Sequence, residues 1–83
     1  MTDSIIIWKF LNSEFPDDHQ AIYLYVCGNV RSPQTAIDQI MRITRKVFCP
    51  AISEEYVKMV VKGFLDRKKR SYINGEIKVK PLY

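Results

Sequence analysis

The stretch of sequence that decides the fold is SPQTAIDQIMRITRKVFCPAISEEYVKMVVKGFLDRKKR, residues 32–70. It contains two apolar repeats at the three-to-four-residue spacing of a helix, and these repeats predict two amphipathic helices. The first repeat is Ile37, Ile40, Met41, Thr44, Val47 and Phe48, and the second is Val57, Val60, Val61, Phe64 and Leu65. Because each helix must bury its apolar face against another layer, these two helices are expected to supply the core.

Local signals mark where both helices begin and where the first one ends. Ser32 can accept a hydrogen bond from an unpaired backbone N–H, and Pro33 loses nothing at the first helical position. Pro50 ends this first helix near residue 48, because a proline disfavours helical conformation in the residue before it. The second helix begins at Ser53, and two glutamates follow in its first turn, where the helix dipole favours negative charge.

The two segments that precede these helices are predicted to be strands. Residues 4–10, SIIIWKF, and residues 21–27, AIYLYVC, are rich in the β-branched and aromatic residues that are favoured in strands. A helix capped by Asp3 or Ser4 is the alternative interpretation of the first segment. The two strands are expected to pair antiparallel across the polar loop between them.

The C-terminal segment, residues 71–79, is predicted to be a hairpin, because Asn74-Gly75 lies between two short apolar pairs. Gly63 interrupts the second helix, so either another backbone packs closely there or residues 64–67 form a strand. The predicted fold is α+β, a single two-layer domain over residues 1–83 in the order β-β-α-α-β-β. Its two helices would pack on a small antiparallel sheet.

Charge is distributed unevenly along the chain, whose net charge is +4. Residues 1–40 carry two Lys or Arg against five Asp or Glu, whereas residues 41–83 carry eleven against four. The two halves therefore have net charges of −3 and +7, and this asymmetry favours an electrostatic binding face. Two alternatives remain. In the first, the cations serve only to keep the helix surfaces hydrated; in the second, the acidic N-terminal half folds over the basic face and neutralises it.

Basic residues cluster at the end of the second helix and in the predicted hairpin. Such a cluster attracts a phosphate backbone through counterion release, without any reading of base sequence. The predicted nucleic-acid-binding residues are Arg67, Lys68, Lys69, Arg70, Lys78 and Lys80, extended by Arg42, Arg45 and Lys46. The alternative is a solvated helix terminus whose cations complement the negative end of the helix dipole.

Two tyrosines in the second predicted strand form a further candidate site. The alternation of side chains in a strand would place Tyr23 and Tyr25 on one face, where they could stack on bases or contact a protein partner. The alternative is that both faces of the sheet are buried, since aromatic residues are common in strands without a functional reason.

The sequence contains no assembled catalytic or metal-binding motif. His19 lies beside Asp17 and Asp18, where a solvent-exposed histidine is expected, and Cys27 ends an apolar strand as a small buried residue. Cys27, Cys49 and the single histidine lack the spacing of zinc ligands. The predicted protein is therefore not an enzyme, and no metal or cofactor is expected.

Nothing in the sequence predicts a membrane span or secretion. The longest uncharged apolar run, residues 21–27, is far shorter than the ~20 residues that a bilayer helix needs. Residues 1–4 lack the positive charge that opens a secretory signal, so a cytoplasmic protein with reduced thiols is expected.

Two binding functions remain open at the level of sequence, and the alternative to both is an enzyme in which His19 acts as a base or Cys27 as a nucleophile. The first is a small regulatory or accessory protein that binds DNA or RNA, of a length common among the reading frames of viruses and mobile elements. The second is a protein-interaction module (an inhibitor, an adaptor or a homodimer) acting through a sheet edge or an exposed apolar surface. Large apolar residues in excess of so small a core support the second function: Trp8, Tyr23, Tyr25, Met59 and Tyr83.

Overall fold

Four helices form the described part of the chain, residues 3–79 of a computed structural model. The helices are α1 (Asp3–Glu14), α2 (Gln20–Cys27), α3 (Ser32–Phe48) and α4 (Glu54–Ile73). No strand occurs within these residues, so the predicted α+β fold with its antiparallel sheet is wrong. α4 contacts each of the other three helices and α2 also packs against α3, which makes α4 the central element.

α3 is confirmed over its predicted range, but its start is stabilised differently. Arg31 occupies the N-cap position and makes no capping bond with its side chain. The Ser32 hydroxyl instead accepts a hydrogen bond from the Asn29 backbone N–H and donates one to the Asn29 side-chain oxygen, each at 3.1 Å. Gly28 makes room for this turn, since a Cβ at that position would collide with the side chain of Ser32.

α4 begins as predicted and extends further than predicted. The Ser53 hydroxyl accepts a hydrogen bond from the Tyr56 backbone N–H at 3.2 Å, which satisfies one of the donors left unpaired at a helix start. The helix then continues through Gly63 to Ile73, so residues 64–67 are helical and do not form a strand.

The predicted C-terminal hairpin is wrong, because Asn74 and Gly75 end α4. Gly75 has a φ of 77°, in the left-handed region that glycine adopts without steric cost. Its N–H donates to the Tyr72 carbonyl at 3.1 Å, and the Glu76 N–H donates to the Ser71 carbonyl at 2.8 Å. This pair of bonds is a Schellman motif, which satisfies carbonyls left unpaired in the last turn of a helix.

Both predicted N-terminal strands are also wrong, because residues 4–10 lie in α1 and residues 21–27 lie in α2. For the first segment the structure agrees with the helix alternative. At the start of α2, Nδ1 of His19 accepts a hydrogen bond from the Ala21 backbone N–H at 3.0 Å. A short apolar run does not distinguish a strand from a buried helix by its periodicity, so packing against the neighbouring helices decides.

The core is formed by the inward faces of all four helices together with Phe15 from the α1–α2 connection. All five apolar residues of the predicted α4 stripe are buried. Four of the six predicted for α3 are buried as well, whereas Val47 is 53% exposed and Phe48 is half-buried. Thr44, the one polar residue among the four, donates its hydroxyl to the Ile40 carbonyl at 2.8 Å.

Gly63 lies on the exposed side of α4, and its replacement by alanine is expected to stabilise the protein. No other backbone packs against it, because a Cβ at this position would meet nothing within 4 Å. Glycine in a helix interior is less favourable than alanine by about 0.5–1 kcal/mol. Gly63→Ala is therefore expected to raise the free energy of unfolding, measured by urea denaturation, by about that amount. A decrease would show that α4 itself requires glycine here.

Candidate nucleic-acid interface

The structure places the predicted basic residues at two ends of α4. Arg45, near the end of α3, pairs with Glu54 in the first turn of α4 at an N–O distance of 3.7 Å. Arg67 to Arg70 lie near the other end of the same helix. At a rise of about 1.5 Å per residue, α4 advances about 20 Å between Glu54 and Arg67. The basic residues of α3 are therefore remote from residues 67–70.

Lys68 stabilises the fold. Its Nζ lies 2.7 Å from Oδ1 of Asp17, in the α1–α2 connection, and 5.3 Å from the centre of the Phe64 ring. The Lys68 side chain is only 19% exposed. One residue of the acidic N-terminal half thus neutralises one residue of the predicted basic cluster.

Lys68→Met is expected to lower the free energy of unfolding by about 1 kcal/mol, because it leaves the Asp17 carboxylate without its partner. Methionine retains an apolar chain that can pack on Phe64, so the effect isolates the charge. Lys69→Met changes the exposed neighbour and is the matched control, with an expected effect below about 0.5 kcal/mol. Equal effects of the two substitutions in urea denaturation would contradict the structural role of Lys68.

Arg67 lies over the indole of Trp8, between α4 and α1. The guanidinium carbon is 6.0 Å from the centre of the indole ring, a geometry in which the ring quadrupole attracts a cation. The indole in turn contacts Phe64 edge to face, with 5.1 Å between the ring centres. Arg67 nevertheless stays exposed to solvent and forms no ion pair within residues 3–79.

The outer surface of α4 carries a further group of cations, which we call the α4 basic face: Lys58, Lys62, Lys69 and Arg70. The three lysines are spaced by four and then seven residues, which places them on one side of the helix, and Arg70 flanks them. All four residues are exposed, and none pairs with a carboxylate in the described part of the chain. Sequence reasoning missed Lys58 and Lys62, although their helical spacing from Lys69 was visible.

The other predicted basic residues do not belong to this face. Arg42 and Lys46 are exposed on α3, and Lys78 is exposed in the irregular segment that follows α4. Lys80 lies outside the described residues, as does Tyr83.

Tyr23 and Tyr25 do not share a face, because residues two apart lie about 200° apart around a helix. Tyr25 donates a hydrogen bond from its hydroxyl to the Asp66 carboxylate of α4. Burial raises the pKa of Tyr25 to about 12, with further contributions from this hydrogen bond and from the negative charge of Asp66. Tyr25 is thus engaged in the contact between α2 and α4, and Tyr23 is half-buried.

His19 and Cys27 lie at opposite ends of α2, about 12 Å apart along its axis. His19 is partly buried, as the N-cap, and Cys27 is exposed, which corrects the expectations of an exposed histidine and a buried thiol. Interaction with the Cys27 side chain raises the pKa of Tyr72. Residues 3–79 contain no group of three or more side chains arranged to ligate a metal.

Comparisons with protein-family models, with curated proteins and with solved structures gave no match. Among the four described helices, none combines the length and apolar character needed to cross a membrane. Inference about function therefore rests on the surface chemistry of the chain itself, and above all on α4.

Proposed function

We propose that this chain is a small cytoplasmic regulatory or accessory protein that binds DNA or RNA through the α4 basic face. The observation that carries the proposal is the row of exposed cations along α4 that form no ion pair within residues 3–79. From Lys58 to Arg70 this row extends about 18 Å along the helix axis. A duplex carries one phosphate charge per about 1.7 Å of its axis, so each cation of the row has phosphates within reach.

Three carboxylates that belong to α4 or contact it are bonded to groups outside the α4 basic face, which supports the proposal. Asp66 accepts the Tyr25 hydroxyl, Asp17 pairs with Lys68, and Glu54 pairs with Arg45. None of the three forms an ion pair with a residue of the α4 basic face, although Asp66 lines surface depressions beside Lys62 and Arg70. Glu55 is exposed, forms no ion pair within residues 3–79, and lines the same surface depression as Lys58 and Lys62, so it offsets part of their charge. Because the α4 basic face carries four cations, we still expect a positive surface potential there, as binding to a phosphate backbone requires.

The state of the two cysteines supports the cytoplasmic part of the proposal. Cys27 and Cys49 are both free thiols. Free thiols are typical of reducing compartments, whereas small secreted domains are usually stabilised by disulfides.

Fluorescence anisotropy with labelled duplex and single-stranded oligonucleotides at two salt concentrations tests the proposal. If four cations each neutralise one phosphate, the affinity is expected to fall about 150-fold for a duplex and about 50-fold for a single strand between ~50 and ~200 mM salt. Absence of binding at ~50 mM salt would overturn the proposal, because phosphate contacts are strongest at low salt. An affinity independent of salt would contradict it equally.

Protein binding is a second candidate, favoured by exposed apolar side chains on α1 and α3. Ile6 is 40% exposed, Ile43 is 46% exposed, and Val47 is 53% exposed. Phe10 and Phe48 join the two helices by an edge-to-face contact with 5.3 Å between ring centres. Self-association through this surface is measured by light scattering across a range of protein concentrations, and a monomer throughout would exclude a homodimer. A sheet edge no longer supports this function, since residues 3–79 form no strand.

A further inference from the structure

An open cleft lies between α1 and the C-terminal half of α4. Its larger part, of about 680 Å³, is lined by Trp8 on α1, by Gly63, Asp66, Arg67 and Arg70 on α4, and by Asn74 just after α4. A smaller part, of about 320 Å³, shares Trp8 and Arg67. Both volumes fall within the range of about 300–1,000 Å³ that is typical of small-ligand sites. Arg70 belongs both to the cleft and to the α4 basic face, so the two surfaces are continuous.

The side chains of this cleft suit a base with its flanking phosphates. The Trp8 ring is held edge to face by Phe64, and it offers an aromatic surface that Arg67 partly covers. Stacking on an aromatic ring or an arginine guanidinium is how proteins commonly hold unstacked bases. The guanidinium groups of Arg67 and Arg70 can each bond a phosphate through two N–H donors.

The remaining polar groups of the cleft match the edge of a base. Asn12 and Asn74 each offer both a donor and an acceptor, although the Asn12 amide already donates one bond to the Trp8 carbonyl. The carboxylates of Glu76 and Asp66 offer only acceptors, and that of Asp66 already accepts the Tyr25 hydroxyl. A base edge also combines donors with acceptors, whereas a bare anion has no donor for the Glu76 carboxylate. This mixture therefore fits a nucleotide better than an inorganic anion.

Gly63 lines the same cleft as Trp8. The glycine makes α4 less stable without any reason in the packing of the chain, since a Cβ there would meet nothing within 4 Å. A ligand that occupies the cleft would explain why this position carries no side chain.

We propose that the cleft binds one unstacked base of a single-stranded nucleic acid on Trp8, with the flanking phosphates on Arg67 and Arg70. The proposal rests on the proposed function, because the strand would continue from Arg70 along the α4 basic face. A paired duplex offers no unstacked base, so a single strand is expected to bind more tightly than a duplex of equal charge. The preference expected from one stacked base is about five- to 150-fold.

Trp8 is the single tryptophan of the chain, so its fluorescence reports directly on the cleft. Oligothymidylate and inorganic polyphosphate are titrated at ~50 mM salt, where phosphate contacts are strong, with binding followed independently by anisotropy or by competition. Both polyanions are expected to bind, and only oligothymidylate is expected to quench Trp8. Binding of oligothymidylate without quenching, or equal quenching by polyphosphate, would overturn the base site and leave the proposed function intact. Absence of any binding would overturn both.

Gly63→Glu and Gly63→Lys provide a matched pair of variants that keeps the proposal testable without disturbing the core. Both residues are better helix formers than glycine and have room at this exposed position, so both variants are expected to fold at least as stably as the parent in urea denaturation. Glu places a negative charge next to Arg67 and repels the incoming phosphates. Both side chains take up space in the cleft, so both variants are expected to bind oligothymidylate less tightly than the parent, and Gly63→Glu about tenfold more weakly than Gly63→Lys. Equal affinities of the two variants would contradict the placement of the strand in this cleft.

Discussion

Lys62→Glu combined with Lys69→Glu is expected to weaken the binding of a single-stranded oligonucleotide about 100-fold at ~50 mM salt. Each lysine that neutralises a phosphate contributes roughly tenfold at this salt through counterion release, and the double variant loses two such contacts. Both side chains are exposed and form no ion pair within the described residues, so the fold is expected to survive. Anisotropy measures the affinity, and urea denaturation verifies that the variant is folded.

Arg42→Glu combined with Lys46→Glu is the matched control for this variant. It changes the net charge of the protein by the same amount, but on α3, beside the first turn of α4. Lys69 and Arg70 lie about 22 Å or more along α4 from its first turn, beyond the Debye length of about 14 Å at ~50 mM salt, so the expected loss at that salt is below about threefold. An equal loss of affinity in both double variants would show that net charge alone governs binding.

Phe64→Ala is expected to lower the free energy of unfolding by about 3–5 kcal/mol. The Phe64 side chain is 0% exposed, it supports the indole of Trp8, and Lys68 lies over its ring. Its removal leaves a cavity where α4 meets α1. Because domains are stable by only about 5–15 kcal/mol in total, and small domains lie near the lower bound, the variant is expected to be largely unfolded on mild heating.

Met59→Ala is the control for Phe64→Ala, because it shortens an apolar side chain of the same helix that is 60% exposed. Its expected effect is within about 0.5 kcal/mol. Equilibrium urea denaturation followed by circular dichroism compares the two variants. Destabilisation of similar size in both would mean that the orientation of α4 about its axis is incorrect.

The sequence predicted the two long helices because their apolar repeats are sustained over several turns and their starts carry strong signals. The prediction failed for α1 because residues 4–10 alone are too few to reveal the spacing of a helix. Leu11 and Phe15, at four-residue intervals after Ile7, complete a buried helical face that the β-branched run had obscured. α2 failed because a short run of large apolar residues has no decisive period of its own.

Asn74-Gly75 shows a second limit of local reasoning. Both a type I′ turn and a Schellman motif require positive φ at the glycine, so the dipeptide is compatible with either structure. The length of the helix before it decides between them: the predicted hairpin begins at residue 71, whereas α4 continues to Ile73, directly before Asn74.

The sequence predicted several of the cations of the candidate site, but it did not predict which of them share a surface. Four consecutive cations in a helix are rotated by about 100° from one residue to the next, so they point in different directions. Arg67 and Arg70 line the cleft, Lys68 pairs with Asp17, and Lys69 faces outward. No local pattern reveals the Asp17 contact, because the fold brings it from a distant part of the chain.

The central claim is that α4 presents the nucleic-acid-binding surface, and NMR titration of the ¹⁵N-labelled protein with a single-stranded oligonucleotide at ~50 mM salt tests it most directly. The expected result is a set of chemical-shift changes at the backbone amides of residues 58–74 and at the indole N–H of Trp8, with α2 and the first half of α3 unchanged. Spectra that do not change, or changes confined to α2 and α3, would contradict the claim.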